Sequence, residues 1–414
     1  MKVNPDAAGF DPDRLRLVDD HLRQHYLDPR KIAGCQVAVV RRGQIAHHRS
    51  LGAMDLERDR PVVDDTIWRL YSMTKPITGV ALLTLYEQGR FQLTDPIHRF
   101  LPEFRDMKVK ERLDDGTSRL VDAEQPITVR DAMMHMTGIG YGPRGARLDM
   151  ATIGRRRDDD SGAGPGGLGR GATLDTLMQG LAGEPLRFQP GTHWLYSWST
   201  DVCARLVEVI SGQAFDEYLQ AAVFDPLGMG DTGFHVQEED VDRLAALYTR
   251  NADKRLELLD DPETSPLRRK PTLLLGGGGL VGTTHDYVRF CEMLLNGGER
   301  EGVRVLGRKT VELMTSNHLP GEGDLRGVAL PGGYGEVGFD GMGFGLTVAV
   351  SKGPVPNGAS GSKGEFMWGG AASTIFWIDP AEELIVVFMT QLIPSGTFNF
   401  RGQLKSLVYS AIVD

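Results

Sequence analysis

The residues best suited to chemistry are a serine and a lysine three positions apart, Ser72 and Lys75. Apolar residues recur at helical spacing over the following segment 77–85, which places the pair at the start of a helix. Residues i and i+3 share a helix face, so a neutral lysine amine can accept the serine proton. Free backbone N–H groups at a helix start also favour developing negative charge. The pattern predicts a nucleophilic serine activated by lysine.

The SxxK spacing is weak by itself, because a chain of this length matches it about once by chance. A second match, Ser360 and Lys363, lies in a stretch rich in glycine, proline and serine. No helical pattern follows it, so nothing holds that serine against its lysine. Taken alone, Ser72 and Lys75 are equally compatible with an N-cap serine and a solvated lysine.

A tyrosine far downstream is the second candidate. Tyr196 opens the tripeptide 196–198 (YSW), after a Pro-Gly turn at 190–191 and before a helical run that begins near residue 201. At such a junction the hydroxyl can point into a cleft, and a nearby lysine would stabilise the phenolate as a general base. A core or lid aromatic is the alternative for an isolated tyrosine.

A pair of glycines near the C-terminus is the third candidate. The segment 368–371 (WGGA) precedes strand-like residues 373–378. Two consecutive glycines at a strand let another group approach the backbone closely and leave the next N–H free as an oxyanion donor. A bulge beside a packed tryptophan is the alternative.

Taken in order, these motifs resemble those of the serine beta-lactamase-like, or penicillin-recognising, enzymes of the class C type, and most closely the family VIII carboxylesterases. That family combines SxxK, a downstream tyrosine motif and a third motif on a strand near the C-terminus. The segments 127–131 (ITVRD), 135–138 (HMTG), 225–229 (DPLGM) and 276–280 (GGGGL) are also similar to the family. The resemblance covers roughly residues 10–410.

The resemblance implies a role for each matching residue. Ser72 would be the acylated nucleophile, and Lys75 and Tyr196 the proton-transfer pair. The backbone N–H groups of Ser72 and Ala371 would form the oxyanion hole, and water would release the acyl group. The residues expected to bind substrate are Trp368, Gly369, Gly370, Tyr141 and Trp198, although packing under an inserted domain is an equal alternative for Tyr141.

Two departures from the family pattern bear on the substrate. Beta-lactamases of this group carry Lys-Thr-Gly at the third motif, where the lysine helps to bind the substrate carboxylate, whereas this chain has Trp368-Gly369-Gly370. The missing cation favours uncharged esters. The second motif usually ends in asparagine, and Trp198 at that place removes a polar substrate contact.

We therefore expect a serine carboxylesterase that cleaves small esters with short acyl chains, with weak beta-lactamase activity left open. The alternatives on the same scaffold are a beta-lactamase, a D-aminopeptidase or amidase, and an acyltransferase. A catalytically silent binding module is a further alternative, which the intact Ser72, Lys75 and Tyr196 disfavour.

The surrounding pattern predicts an α/β (α+β) fold. An opening helix is indicated by Asp11 and Pro12, and a hairpin by residues 34–40 and 44–48. Helical patterns dominate the middle of the chain. Strands return at 344–350, 373–378 and 384–390, and a last helix spans about 400–412.

Together with the resemblance, this order predicts an antiparallel sheet flanked by the N- and C-terminal helices. Residues 1–94 and 272–414 would form one discontinuous α/β domain, and residues 95–271 an inserted, mainly α-helical domain. We expect the active site in the cleft between them. The loops 144–171 and 320–343 would shape the pocket, the first containing a Gly- and Pro-rich surface loop at 161–171.

Several other functions are disfavoured. The formal net charge is -10, and the one cluster of arginines, 155–157, runs straight into three aspartates, so no nucleic-acid surface is expected. The GxGxxG match at 277–282 lacks the surrounding βαβ alternation, GxSxG does not occur, and the histidines lack an HExxH motif. We expect no cofactor and no metal, and a small-molecule ester as the binding partner.

The sequence also bears on location. Three cysteines lie far apart without a CxxC motif, which suits a reducing compartment. The N-terminus lacks an apolar signal region, and no run of about 18 apolar residues occurs. We expect a cytoplasmic protein without a membrane span, unless a leader has been removed.

Overall fold

A large antiparallel sheet made from both ends of the chain forms the centre of the protein. The computed structural model describes residues 3–141, 171–330 and 334–414. The described strands are β1 (Gly34–Arg41), β2 (Gln44–Asp55), β3 (Arg60–Pro61), β4 (Ile67–Arg69), β5 (Lys108–Arg112), β6 (Ser118–Asp122), β7 (Leu247–Arg250), β8 (Leu256–Asp260), β9 (Val281–Thr283), β10 (Glu299–Arg300), β11 (Val303–Arg304), β12 (Met342–Phe344), β13 (Ala349–Ser351), β14 (Phe366–Gly369), β15 (Ile375–Asp379), β16 (Leu384–Thr390) and β17 (Leu392–Ile393).

Helices surround this sheet and fill the middle of the chain. The described helices are α1 (Pro12–Leu22), α2 (Thr74–Glu87), α3 (Val129–Met133), α4 (Leu174–Ala182), α5 (Ser199–Ser211), α6 (Phe215–Leu219), α7 (Asp225–Leu227), α8 (Thr284–Leu295), α9 (Arg308–Met314), α10 (Leu325–Val328), α11 (Pro354–Asn357) and α12 (Phe400–Ser410). The opening helix begins as predicted, because the Asp11 carboxylate accepts the N–H groups of Asp13 and Arg14.

The order of strands in the large sheet is β12-β13-β14-β15-β16-β1-β2-β3. The N-terminal β1 pairs antiparallel with the C-terminal β16, so that Val37 lies opposite Phe388. Every residue of β1 is buried, which matches its valine-rich sequence and means that both faces of the sheet are covered. The predicted antiparallel sheet flanked by terminal helices is confirmed.

The two faces are covered by different helices. Phe376 of β15 contacts the ring of Tyr287 from α8, with 5.1 Å between centroids. Phe388 lies opposite Ile375, the neighbour of Phe376, and therefore faces the other side of the sheet. There it contacts Phe400 of α12 at 5.0 Å. The helices α1 and α12 pack together on that side.

The middle of the chain carries helices α3 to α7 and also two hairpins that the sequence analysis missed. One is β5 with β6, and the other is β7 with β8. The residues of β5 and β6 are mostly polar and exposed, so neither strand shows the alternation of apolar residues that would reveal it. All strands of the large sheet lie within 1–94 and 272–414, while the domain boundaries themselves stay a prediction.

One predicted strand, 344–350, is wrong in its middle. It is divided into β12 and β13 by a turn in which Thr347 has a φ of 69°. The N–H of Leu346 donates to the carbonyl of Met314 at 2.8 Å, and that of Thr347 to Met133 at 3.0 Å. The segment thus leaves the sheet to satisfy the last carbonyls of two helices.

Some expectations fall on residues that the structure does not describe, and another concerns membrane-spanning helices. The arginine and aspartate cluster 155–160 and the loop 144–171, apart from residue 171, lie outside the described residues, as do residues 331–333. Within the ranges 3–141, 171–330 and 334–414, no helix has both the length and the apolar character required to cross a bilayer.

Candidate active site

The three residues predicted to carry chemistry lie in direct contact. Ser72 belongs to a short 3₁₀ turn, Tyr71–Met73, that leads into α2. Its Oγ is 3.2 Å from Nζ of Lys75 and 2.6 Å from the hydroxyl of Tyr196. All three side chains are buried. Two residues one helical turn apart and a third from another part of the chain thus share one hydroxyl oxygen.

The backbone bends sharply just before the serine. Tyr71 has a φ of 46°, in the left-handed region that residues with a side chain seldom occupy. The N–H of Met73 then donates to the carbonyl of Leu70 at 3.1 Å and closes the turn. Such strain persists only where the surrounding structure holds it, and it clusters at functional sites.

Lys75 is held as a buried amine. Its Nζ donates to the carbonyl of Gly277 at 2.6 Å and lies 4.5 Å from the centre of the Tyr196 ring. Burial lowers the pKa of Lys75 to about 8, although the carboxylates of Asp201 and Glu336 act in the opposite direction. At pH 8 about half of these lysines are therefore neutral and able to accept a proton.

The protonation of Tyr196 differs from the sequence prediction. Burial raises the pKa of Tyr196 well above its usual value, Tyr141 and Glu336 add to the effect, and the hydrogen bond with Ser72 only partly opposes it. The expected phenolate is therefore wrong for the resting site, because desolvation outweighs the nearby lysine. Tyr196 donates its hydroxyl proton to Ser72 Oγ in a hydrogen bond, and the role of Lys75 as the base stays a prediction.

The two predicted oxyanion donors lie on segments that touch. Ala371 follows β14, and a Cβ at Gly370 would lie 2.3 Å from the carbonyl oxygen of Leu70, close to Ser72. The glycine therefore permits the close approach that the sequence indicated. Among the described residues, the N–H groups of Ser72 and Ala371 donate to no protein acceptor. They are free to bind an oxyanion, a role that stays a prediction.

Aromatic rings surround the ring of Tyr196. Tyr141 lies 5.8 Å from the ring of Tyr196 and 5.1 Å from that of Trp198, between centroids. Tyr334, which is 47% exposed, lies 5.9 Å from Tyr196 on another side. Trp198 is buried. Tyr141 is half-buried beside the ring of Tyr196, and its part in substrate binding stays a prediction.

Trp368 has a different position from the one expected of a substrate-binding side chain. It is fully buried and packs against Tyr196 and Phe344, each at 5.5 Å between ring centroids. The tryptophan supports the ring of Tyr196 from within the core. Gly369 and Gly370 are also buried, and their backbone forms the end of the strand.

Three further residues around the site were missed, namely Asp201, Glu336 and Arg401. Asp201 accepts the N–H of Gly277 at 2.9 Å. Arg401 of α12 donates to the backbone carbonyls of Glu336 at 2.6 Å and Trp368 at 2.9 Å. The place of Asp201 at the start of a helical run is visible in the sequence, but its contact with Gly277 is not. No sequence signal joins Glu336 to Arg401, because only folding brings them together.

A buried histidine, His135, lies two residues beyond the end of α3. Its Nδ1 accepts the N–H of Ser197 at 3.3 Å, and its Nε2 lies 3.3 Å from Oγ1 of Thr200. Burial, assisted by Lys75, lowers the pKa of His135 well below its usual value. The neutral imidazole therefore holds the segment that follows Tyr196 by hydrogen bonds.

The second SxxK match does not form a comparable site. Ser360 and Lys363 are both exposed and lie outside helices. The glycine segment 276–279 instead forms a turn whose carbonyls face α2. In the part of the chain that the structure describes, no group of three or more His, Cys, Asp or Glu side chains could hold a metal ion.

The chain is similar to known proteins over most of its length. A family model described as Beta-lactamase matches residues 20–407. Protein Rv1367c of Mycobacterium tuberculosis (strain ATCC 25618 / H37Rv) is 31% identical over 88% of this chain and 86% of its own. Esterase EstB of Burkholderia gladioli is 29% identical over 95% of each chain. The solved structure titled "EstCE1, a hydrolase with promiscuous acyltransferase activity" is 26% identical, covers 96% of this chain and 99% of its own, and has a TM-score of 0.75.

Proposed function

The chain belongs to the beta-lactamase family, and from that premise we propose that it is a serine ester hydrolase that forms an acyl-enzyme on Ser72. The observation that carries the proposal is the contact of Ser72 Oγ with both Lys75 Nζ and the Tyr196 hydroxyl. The Lys75 amine can remove the proton of Ser72, and the Tyr196 hydroxyl can supply a proton to the leaving alcohol. The similarity to an esterase over 95% of both chains supports the choice of ester as substrate.

Acylation begins with the neutral form of Lys75. Its amine takes the proton of Ser72, and Oγ forms a bond to the carbonyl carbon of the ester. The carbonyl π electrons move to the carbonyl oxygen, where the N–H groups of Ser72 and Ala371 would stabilise the negative charge. Backbone donors held in advance by the fold would require little reorganisation at that moment.

The tetrahedral intermediate then expels the alcohol. The bond between the carbonyl carbon and the alcohol oxygen breaks, and that oxygen receives a proton from the Tyr196 hydroxyl. The ammonium of Lys75 returns a proton to Tyr196, whose high pKa favours the protonated form. In deacylation, water gives a proton to Lys75 while its oxygen bonds to the acyl carbon. The bond between that carbon and Ser72 Oγ then breaks, and the Lys75 ammonium returns the proton to Oγ.

The third motif supports esters over beta-lactams. The residue at the lysine position of beta-lactamases is Trp368, which is buried against Tyr196. It offers no charge to a substrate carboxylate, so uncharged esters with short acyl chains fit better. Transfer of the acyl group to an alcohol is the second candidate, favoured by the similarity to a hydrolase whose title names acyltransferase activity.

The test is turnover of p-nitrophenyl butyrate by wild type, Ser72→Ala and Ser360→Ala. Wild type and Ser360→Ala are expected to be equally active, since Ser360→Ala changes only the exposed SxxK match. Ser72→Ala is expected to lose at least about 10³-fold in kcat/KM. A fluorophosphonate should label wild type and Ser360→Ala and leave Ser72→Ala unlabelled. Full activity of Ser72→Ala would exclude the proposed nucleophile.

A substrate panel separates the alternatives. Nitrocefin, D-alanyl peptides and p-nitrophenyl butyrate report beta-lactamase, D-aminopeptidase and esterase activity. Addition of a primary alcohol to the ester reaction then measures transfer against hydrolysis. We expect ester turnover to exceed the other two in kcat/KM, and faster nitrocefin turnover would instead assign the protein as a beta-lactamase.

We also propose a cytoplasmic location. Its support is the state of Cys35, Cys203 and Cys291, which are all buried and free. Thiols that remain reduced suit a reducing compartment. Cell fractionation with a tagged full chain tests the location, and recovery in a secreted fraction would contradict it.

A further inference from the structure

A glycine turn is held between the helix of Lys75 and the helix that follows Tyr196. Thr78 of α2 donates its hydroxyl to the carbonyl of Gly276 at 2.8 Å. Lys75 donates to the carbonyl of Gly277 at 2.6 Å. On the other side, the N–H of Gly277 donates to Oδ1 of Asp201 in α5 at 2.9 Å. Gly277 therefore connects Asp201 to Lys75 through two hydrogen bonds.

The space around this turn shows how closely it is held. A Cβ at Gly277 would lie 2.6 Å from Oδ2 of Asp201, and a Cβ at Gly276 would lie 2.5 Å from the Cβ of Ala204. Glycine permits this approach of the backbone to α5. Asp201 is only 1% exposed and stands in the first turn of α5, so its carboxylate cannot turn away to solvent.

The charge of each of the two residues, Asp201 and Lys75, offsets part of the effect of burial on the pKa of the other. Burial raises the pKa of Asp201 to about 6, and Lys75 and the Gly277 N–H partly offset this rise. Asp201 is in turn the first of the groups that raise the pKa of Lys75 against the effect of burial. Above pH 6 the carboxylate is charged and favours the ammonium form of Lys75.

We propose that Asp201 is a positioning residue for Lys75: its carboxylate holds Gly277, and Gly277 in turn holds the amine that takes the Ser72 proton. The inference rests on the proposed function, because it concerns the base of that reaction. A residue that Lys75 contacts only through Gly277 thus fixes the place of the amine, and its charge opposes the effect of burial on the pKa of Lys75.

Other titratable groups face this pair and must be considered. Glu336 and Asp201 act on Lys75, while Lys75 acts on His135. Asp201 acts on Cys203 and Tyr141, both of which burial keeps protonated. Of these groups, Asp201 alone holds an N–H of the residue that accepts from Lys75.

The chain offers a matched control in Asp286. This residue also stands in the first turn of a helix, α8, is 2% exposed and accepts a backbone N–H, that of Asp231, at 2.9 Å. Burial also raises its pKa. It lies outside the groups that act on Lys75. Asp286→Asn therefore removes a comparable buried charge without touching the proposed link.

The experiment compares wild type, Asp201→Asn, Asp201→Ala and Asp286→Asn. The titration of Lys75 is followed by NMR of the full chain labelled with ¹³Cε-lysine and assigned with Lys75→Ala. The pH profile of kcat/KM for p-nitrophenyl butyrate is measured in parallel. Asparagine keeps an acceptor for the Gly277 N–H and removes the charge, whereas alanine removes both.

For Asp201→Asn we expect the Lys75 titration and the acidic limb of the profile to move down by at least about 0.5 pH unit. Its maximum kcat/KM should stay within about threefold of wild type, while Asp201→Ala should lose about 10- to 100-fold through misplacement of the amine. Asp286→Asn should leave both titrations unchanged. If Asp201→Asn keeps its activity and Asp201→Ala loses it, the loss comes from the missing acceptor for the Gly277 N–H and not from the missing charge.

An unchanged Lys75 titration in Asp201→Asn, or an equal shift in Asp286→Asn, would overturn the inference. If wild type fails to hydrolyse esters, the proposed function fails, and the NMR titration still decides the effect of Asp201. If Asp201→Asn does not fold, Asp201→Ser removes the same charge with a smaller side chain and is judged by the same criteria.

Discussion

Gly370 lies so close to Leu70 that a Cβ at the glycine would be 2.3 Å from the leucine carbonyl oxygen. About 300 residues of sequence separate these two positions. Leu70 closes the turn that presents Ser72, and Gly370 precedes the second predicted oxyanion donor, Ala371. The contact therefore sets the distance between the nucleophile and the C-terminal strand.

Gly370→Ala should separate these segments and reduce catalysis. The added methyl group must displace a backbone oxygen, so we expect kcat/KM to fall by at least about 100-fold through misalignment of the oxyanion donors. Gly180→Ala is the control, because a Cβ there meets nothing within 4 Å. In α4 that change should stabilise the protein by about 0.5–1 kcal/mol. Esterase assays and urea unfolding measure the two effects, and an active Gly370→Ala enzyme would contradict the role of this contact.

The pH dependence should follow Lys75. Below its pKa of about 8 the side chain is an ammonium and cannot accept the serine proton. We therefore expect kcat/KM for p-nitrophenyl butyrate to rise about tenfold per pH unit on the acidic side and to level above pH 8. Subtraction of the rate with Ser72→Ala corrects for spontaneous hydrolysis. A flat profile between about pH 6 and pH 9 would show that Lys75 is not the base.

Tyr196→Phe should remove catalysis and leave the fold. The phenyl ring keeps the contacts with Trp194 and Trp368, but the hydroxyl 2.6 Å from Ser72 Oγ is lost. We expect kcat to fall by about 10²- to 10³-fold. The control is Tyr218→Phe, whose hydroxyl lies 2.7 Å from Thr84 Oγ1 away from the site, and which should cost about 1 kcal/mol of stability without an effect on kcat. Equal kcat values for the two variants would refute the proton-donor role.

A buried ion pair should stabilise the strand that leads to the oxyanion segment. Lys405 of α12 pairs with Glu365 just before β14, and the side chains are 3% and 0% exposed. Lys405→Met leaves the buried carboxylate without its cation and, among the described residues, with only the Tyr409 hydroxyl as a partner, so we expect a loss of about 3–5 kcal/mol in the free energy of unfolding. The double variant Lys405→Met/Glu365→Leu should recover most of it.

The control for that pair is Lys309→Ala, which breaks an ion pair with Glu312 in which the lysine is 78% exposed. Surface pairs contribute little, and the change should stay below about 0.5 kcal/mol. Urea unfolding followed by circular dichroism measures all three variants. Equal losses for the buried and the exposed pair would contradict the importance of burial.

The sequence by itself determined the local features of the site and the class of fold. Helical spacing after Lys75, the cap at Asp11 and the valine-rich β1 are short-range patterns that burial and capping impose on neighbouring residues. The same reasoning separated Ser72 from the second match at Ser360, which lies outside helices.

Only the tertiary structure decided the protonation and surroundings of these groups. Desolvation depends on what is packed around a group. Burial therefore keeps the hydroxyl of Tyr196 protonated and lowers the pKa of Lys75. Trp368 was expected at the substrate, but packing buries its side chain against Tyr196, where it supports the tyrosine ring. The link from Asp201 to Lys75 was invisible in sequence, because the connecting atoms belong to the backbone of Gly277. A hydrogen bond to a backbone group leaves no mark on residue type, and folding alone brings its partners together.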